Sequence, residues 1–247
     1  MIPIKSSQEI KLMAEAGSIL AGIIKRVKKE VRPGVSTGDI DALVEKLILA
    51  SNAAPAFKGY QGFPACTCIS VNEEIVHGIP GPRVILDGDI VSLDIGVNYK
   101  GYFSDAAVTV AAGRVDEKKK KLMEIARLSL DEGIKKAYPG NHLTDISHSI
   151  QVFVEQAGFS VVRQFVGHGI GRALHEEPEV PNFGPAGCGA LLKNGMVLAI
   201  EPMINLGGWE SEITENGWTA VAKDGLASAH FEHTVAITDK GPVVLSK

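Results

Sequence analysis

The chain has 247 residues, 45% hydrophobic and 22% charged, with a net charge of −4. That length supports a sizeable core, as one large domain or two small ones, and the charge offers no basic balance for nucleic acid, so DNA is not an expected partner. Three cysteines, an odd number in a chain this size, argue against a disulfide framework.

The opening stretch MIPIKSSQEI has no apolar core and no cleavage site, so no secretory signal is expected. The apolar run SILAGII is far too short for a membrane span, and the expectation is a soluble cytoplasmic protein. Ser6 and Glu9 form a capping-box pattern, which satisfies free backbone donors at a helix start. Apolar residues at Ile10, Met13, Leu20, Val27 and Val31 then share a helical face until Pro33-Gly34. A second helix is predicted over Thr37 to Ala50. Beyond it the texture changes to β-branched runs separated by turns such as GIPGP and DGD.

After Gly113 the pattern restarts with a charged helix to Lys136, then Pro139-Gly140, then a helix near Thr144 to Gln156, then strands and turns. RPGVSTGDI (Arg32 to Ile40) and YPGNHLTDI (Tyr138 to Ile146) share Pro-Gly and Asp-Ile at an offset of 106 residues. DGDIVSLD (Asp87 to Asp94) matches NGMVLAIE (Asn194 to Glu201) at an offset of 107. Each of the second pair is a turn dipeptide, five strand residues and a carboxylate. The chain therefore reads as a single domain of two similar halves, about 1–112 and 113–247. Each half would be two helices followed by antiparallel strands, an α+β fold. An approximate two-fold axis would join their sheets and place Asp94 and Glu201 at equivalent positions on either side of it.

The hairpin DIGVNYKGYFSD, Asp94 to Asp105, carries two acids in strands that otherwise read as buried. A turn centred on Tyr99-Lys100 would set Asp94 directly opposite Asp105, with Cβ atoms about 4.5–5.5 Å apart. Two buried carboxylates that close repel unless one holds a proton or a cation lies between them. Glu201 ends the apolar strand MVLAIE and Glu232 begins FEHTVAIT, which brings the number of acids in apolar strands to four. Few basic residues flank these strands, so separate ion pairs account for them poorly.

FVGHGIGRALHEEP supplies nitrogen. His168 stands between two glycines and His175 follows seven residues later, a spacing unlike the single-zinc H-E-x-x-H motif. His142 and His148, on a predicted amphipathic helix, read as ordinary helix residues. Four carboxylates and one neutral histidine carry a charge that two divalent cations balance. Oxygen-rich, sulfur-free ligation suits Mn, Fe(II), Co or Zn, and two such ions sharing carboxylates activate a water for hydrolysis.

The segments VNEEIVHGIP, SLDIGVNYKGYFSDAAVTV, FVGHGIGRALHEEPEVPNFG, MVLAIEPMI and HFEHTV resemble those of type I methionine aminopeptidases, members of the pita-bread metallopeptidases. The similarity runs over essentially the whole chain. It implies the duplicated pita-bread fold, a curved antiparallel sheet covered by two pairs of helices. It also implies that Asp94, Asp105, His168, Glu201 and Glu232 ligate two metal ions, with Asp105 and Glu232 bridging. His77 and His175 match the family's catalytic histidines, with Glu201 handling a proton. Tyr60, Phe63, Cys68 and Trp218 match the pocket for the methionine side chain, and Asn72 and Ser228 match positions that hold a monovalent cation in some relatives.

The implied activity is removal of the initiator methionine from nascent chains when the second residue is small, by a monomer. Leu174, Phe63, Phe57 and His230 depart from the commonest pattern around the pocket and site. Cys66 and Cys68 share a strand face and read as core or pocket lining. Lys118 to Lys121 reads as a solvated helix face, with weak contact to ribosomal RNA as the alternative. Competing functions are a proline-specific peptidase of the same fold, which typically carries a long N-terminal domain, and a non-catalytic peptide-binding relative, which usually lacks ligands.

Overall fold

The computed structural model describes residues 1–247. The order is α1 (Ser7–Val27), α2 (Thr37–Ala50), β1 (Ala54–Pro55), β2 (Thr67–Val71), β3 (Glu74–Val76), β4 (Ile90–Tyr99) and β5 (Tyr102–Ala111). The second half follows with α3 (Glu117–Ile134), α4 (Leu143–Gln156), β6 (Ser160–Val161), β7 (Gly167–Gly169), β8 (Glu176–Val180), β9 (Val197–Ile200) and β10 (Met203–Asn205). It ends with β11 (Ser211–Ile213), β12 (Ala220–Ala222), β13 (Ser228–His230), β14 (His233–Thr238) and β15 (Gly241–Val244). No helix is long and apolar enough to cross a membrane.

The helix starts follow the sequence signals. Ser6 caps α1, with its side chain accepting from Glu9 N–H while Glu9 accepts from Ser6 N–H. Ser36 and Asp39 make the same box at α2. The first helix ends at Val27, earlier than its apolar pattern suggests, because Lys29 and Glu30 donate to the carbonyls three residues back and close the last turn tightly. Val31 is still buried, but beyond the helix.

In the first half, β4 pairs antiparallel with β5 on one side and with β1 and β2 on the other. In the second, the order is β8-β7-β9-β14-β15. The helices α1 and α2 bury Leu20, Val27, Ile40, Val44 and Ile48 against Ile69, Leu93 and Ile95 of the first sheet. Likewise α3 and α4 bury Leu122, Leu130, Ile146 and Ile150 against Leu198, Ile200 and Val235.

The two-fold relation extends to single hydrogen bonds. Gly34 (φ +90°) and Gly140 (φ +92°) turn the chain into α2 and α4, and Gly88 (φ +92°) and Gly195 (φ +90°) turn it into β4 and β9. Ser36 bridges to Val84 as His142 bridges to Leu191. The halves meet where β5 runs beside the β13–β14 segment. Thr234 Oγ1 donates to Asp105 O at 2.8 Å and accepts from Asp105 N–H at 2.9 Å. Thr109 Oγ1 donates to His230 O at 2.9 Å and accepts from His230 N–H at 2.8 Å. Each threonine thus clamps the backbone of the opposite half, and Asp105 and His230 are two-fold mates. Glu232 N–H donates to Ala107 O at 3.0 Å between the two clamps.

One expectation is corrected. Asp94 is not opposite Asp105: β4 and β5 pair Asp94 with Ala107 and Gly96 with Asp105. The turn is centred one residue later, on Lys100-Gly101, both with positive φ (+53° and +81°). That pair gives the turn its hairpin-compatible twist, which Tyr99-Lys100 would not. The shift of one residue in the turn moves the pairing by two. Both acids therefore stay on the same sheet face, as diagonal neighbours.

Candidate active site

Asp94 sits mid-strand in β4, Asp105 in β5, His168 in β7, Glu201 just after β9 and Glu232 just before β14. All five line one cavity at the join of the halves. Suitable atoms of Asp105, His168 and Glu232 lie within 4.8 Å of one another, and His168 Nε2 is 3.6 Å from Glu201 Oε1. Asp94 and Asp105 are diagonal neighbours on the same face of the β4–β5 hairpin.

The acids are deep: Asp105 is 4% exposed and Glu232 2%. Asp94 Oδ1, Asp105 Oδ1 and Glu232 Oε1 are buried with no hydrogen-bond partner. Burial pushes Asp94 up to about 6 and Glu201 to about 8. Burial and the neighbouring acids push Asp105 and Glu232 well above the usual carboxylate range. Unpartnered buried carboxylate oxygens are costly and rare, and cations at the centre of the cluster would satisfy them. The donor set therefore fits hard or borderline divalent metals.

His168 is prepared to ligate. Burial lowers its pKa to about 4, so it is neutral near pH 7. Its Nδ1 lies 2.9 Å from Gly169 O, which fixes the proton there and leaves the Nε2 lone pair facing Glu201. The flanking glycines are needed for space. A Cβ on Gly167 would lie 2.3 Å from Ala199 O, and one on Gly169 2.1 Å from Glu177 O, so side chains there would drive β7 off its neighbours.

The expected catalytic histidines flank the cluster. His175 packs edge-on to His168, ring centroids 4.2 Å apart, and its Nδ1 is 2.7 Å from the Tyr60 hydroxyl. Its ring is sheltered in the cavity although the residue is exposed overall, and that shelter lowers its pKa. His77, held at φ +59°, stands edge-on to Phe165 and Trp218. Burial lowers its pKa to about 4.

Tyr60, Phe63, Cys68 and Trp218 line the same cavity, with Phe63 edge-on to Trp218 at 5.2 Å. The cavity of about 160 Å³ is close to the ~150 Å³ that admits one benzene, so it takes one side chain. Phe57 and Leu174 also form its wall. Gln61 and Val76 were not identifiable from the sequence, because the irregular turn after Gly59 and the short strand β3 carry no periodic signal. Cys66 and Cys68 are buried, and burial pushes the Cys66 thiol up to about 12 and that of Cys68 well above its usual range. Both are protonated core thiols.

His142 and His148 lie outside the cluster, bonding Gly189 O and Gly184 O. Beside Asn72 the chain places its own cation: Lys119 Nζ donates to Asn72 Oδ1 at 2.9 Å and to Gly88 O at 2.8 Å. Asn72 O accepts from Ser228 N–H at 2.8 Å. Lys120 pairs with Glu117, and Lys121 lies over the Phe159 ring, so the basic run is largely engaged within the protein.

Buried acids and a neutral imidazole meeting where two similar sheets join, beside a pocket for one side chain, define a metal-dependent hydrolase. Comparison with known proteins agrees. The profile of metallopeptidase family M24 matches residues 11–239. A methionine aminopeptidase of Clostridium perfringens is 52% identical over 246 residues, covering 100% of this chain and 99% of that protein. The crystal structure of a methionine aminopeptidase from Thermotoga maritima superposes with a TM-score of 0.99 at 48% identity, each chain covering 100% of the other. A prolidase from Pyrococcus furiosus has a TM-score of 0.81 at 26% identity, with 99% of this chain matching 65% of that one. The chain belongs to metallopeptidase family M24, among its methionine aminopeptidases, and has the duplicated pita-bread fold that the resemblance implies.

Proposed function

We propose that this protein is a dinuclear-metal aminopeptidase that removes the N-terminal methionine from nascent proteins with a small second residue, acting as a cytoplasmic monomer. The observation that carries the reading is the set of unpartnered buried carboxylates opening on a pocket for one side chain. Residues 1–112 and 113–247 act as the halves of one catalytic domain. Asp94, Asp105, His168, Glu201 and Glu232 would hold two ions, drawn from Co, Mn, Fe or Zn, with Asp105 and Glu232 shared. When bound, the ions supply Lewis acidity and lower the pKa of water.

The other steps belong to the chain. Tyr60, Phe63, Cys68 and Trp218, with Phe57 and Leu174, hold the methionine side chain and exclude water from it. His175 Nδ1 lies 2.7 Å from the Tyr60 hydroxyl; with that hydroxyl as donor, Nε2 carries the proton and donates to the oxygen of the scissile carbonyl as charge develops there. Glu201 stands at the cavity beside the reacting atoms and handles the proton that the attacking water gives up. His77, neutral and fixed by its aromatic neighbours, contacts the substrate backbone and steadies the departing amide nitrogen. A monovalent cation near Asn72 and Ser228 would share its surroundings with Lys119.

The test is metal-dependent release of methionine from Met-Ala-Ser, run beside Ala-Pro and with Asp105→Ala as control. Methionine release lost in the variant is the expected result. Cleavage of Ala-Pro alone would favour a proline-specific peptidase, and no turnover with any divalent metal would favour a binding protein.

A further inference from the structure

One buried titratable side chain at the site has no part in the roles above. His230, the last residue of β13, is 1% exposed, yet neither ring nitrogen has a hydrogen-bond partner. A buried imidazole with two unsatisfied nitrogens is costly and calls for a partner. Its Nε2 lies 3.6 Å from Glu201 Oε2, the same separation as His168 Nε2 from Glu201 Oε1. The Glu201 carboxylate is therefore flanked by an imidazole at each oxygen. Two atoms that each sit about 2.0–2.2 Å from one ion are roughly 3.0–3.5 Å apart in ordinary coordination angles, so both separations are within a small adjustment of shared ligation.

The backbone fixes this placement. Thr109 holds both the N–H and the carbonyl of His230, as Thr234 holds those of Asp105, its two-fold mate. His230 reaches the two-fold axis from one half as Asp105 reaches it from the other.

We propose that His230 is a sixth metal ligand, coordinating through Nε2 the ion that Glu201 Oε2 also holds, so that the centre carries two imidazoles. The proposal rests on the dinuclear reading, and the experiment separates the two. The protein is loaded with two equivalents of Zn²⁺ and its imidazole ligands are counted by X-ray absorption, for wild type and for His230→Gln. Calorimetric titration with Zn²⁺ gives the affinities, and metal-free melting curves report whether the variant folds.

The expected result is two imidazoles shared by two ions in the wild type and one in the variant. The more weakly held ion should bind at least about tenfold less tightly in the variant, as losses of metal-site partners do. Two bound ions with a single imidazole in the wild type would overturn the proposal while leaving the dinuclear centre intact, and this count does not depend on the variant. Fewer than two ions bound by wild type would overturn the dinuclear reading and this proposal with it.

Discussion

Replacing Glu201 with glutamine should change stability in opposite directions with and without metal. Burial holds Glu201 at about 8 against an ordinary 4.5. A group whose folded pKa is raised binds more protons in the folded state, so its stabilising contribution is full below the unfolded value and is lost as pH rises through the folded one. At pH 7 the unfolded chain releases a proton that the metal-free fold retains, a cost of about 3 kcal/mol. Glu201→Gln removes that cost while nearly keeping the side chain's shape. Without metal, the variant should exceed wild type by up to about 3 kcal/mol at pH 7, with the gain vanishing near pH 4. With metal at about a thousandfold excess over Kd the order reverses, because each ion then stabilises by about 4.1 kcal/mol, more than the gain in the metal-free protein, and the variant lacks one ligand. Urea denaturation at both pH values, with chelator and with Mn²⁺, measures all four stabilities. Equal destabilisation of the variant with and without metal would refute the reasoning, since Glu201 would then be an ordinary packed residue.

Tyr60→Phe removes the hydroxyl that sets the His175 tautomer, so kcat should fall about tenfold with little change in KM; steady-state kinetics on Met-Ala-Ser tests this. Thr234→Val leaves the N–H of Asp105 without its partner at the join of the halves, and should cost about 1–3 kcal/mol in denaturant unfolding. Lys119→Met leaves Asn72 Oδ1 and Gly88 O without their cation. The variant should lose about 1.5–3 kcal/mol, and K⁺ or Na⁺ should restore part of the loss where a bulky organic cation does not. Melting curves in matched chloride salts measure the difference.

Much of the fold was legible because local signals are short and strong. The capping pair Ser6–Glu9 and the turn glycines at 34, 88, 140 and 195 are punctuation that chemistry enforces. Because Gly34 recurs as Gly140 and Gly88 as Gly195, at offsets of 106 and 107, the duplication could be read as well. The acids of the site stood out because Asp94, Asp105, Glu201 and Glu232 interrupt apolar strands at a cost that local sequence does not offset.

What was hidden depends on register and on contacts remote in sequence. The hairpin turn lies one residue later than expected because Lys100 takes a left-handed conformation, which a lysine does not announce in sequence. The clamps by Thr109 and Thr234 link residues 121 and 129 positions apart. Their signal was present in the matching Thr-Val pairs of AVTV and EHTV. The ring of His230 beside Glu201 is a product of those clamps and could not be placed before them.

The central claim is that carboxylates from both halves converge on two cations. Anomalous scattering from crystals grown with Mn²⁺ tests it most directly. Two peaks about 3.5–4 Å apart, bounded by Asp94, Asp105, His168, Glu201 and Glu232, are the predicted result. A single peak, or ions bound away from these side chains, would contradict it.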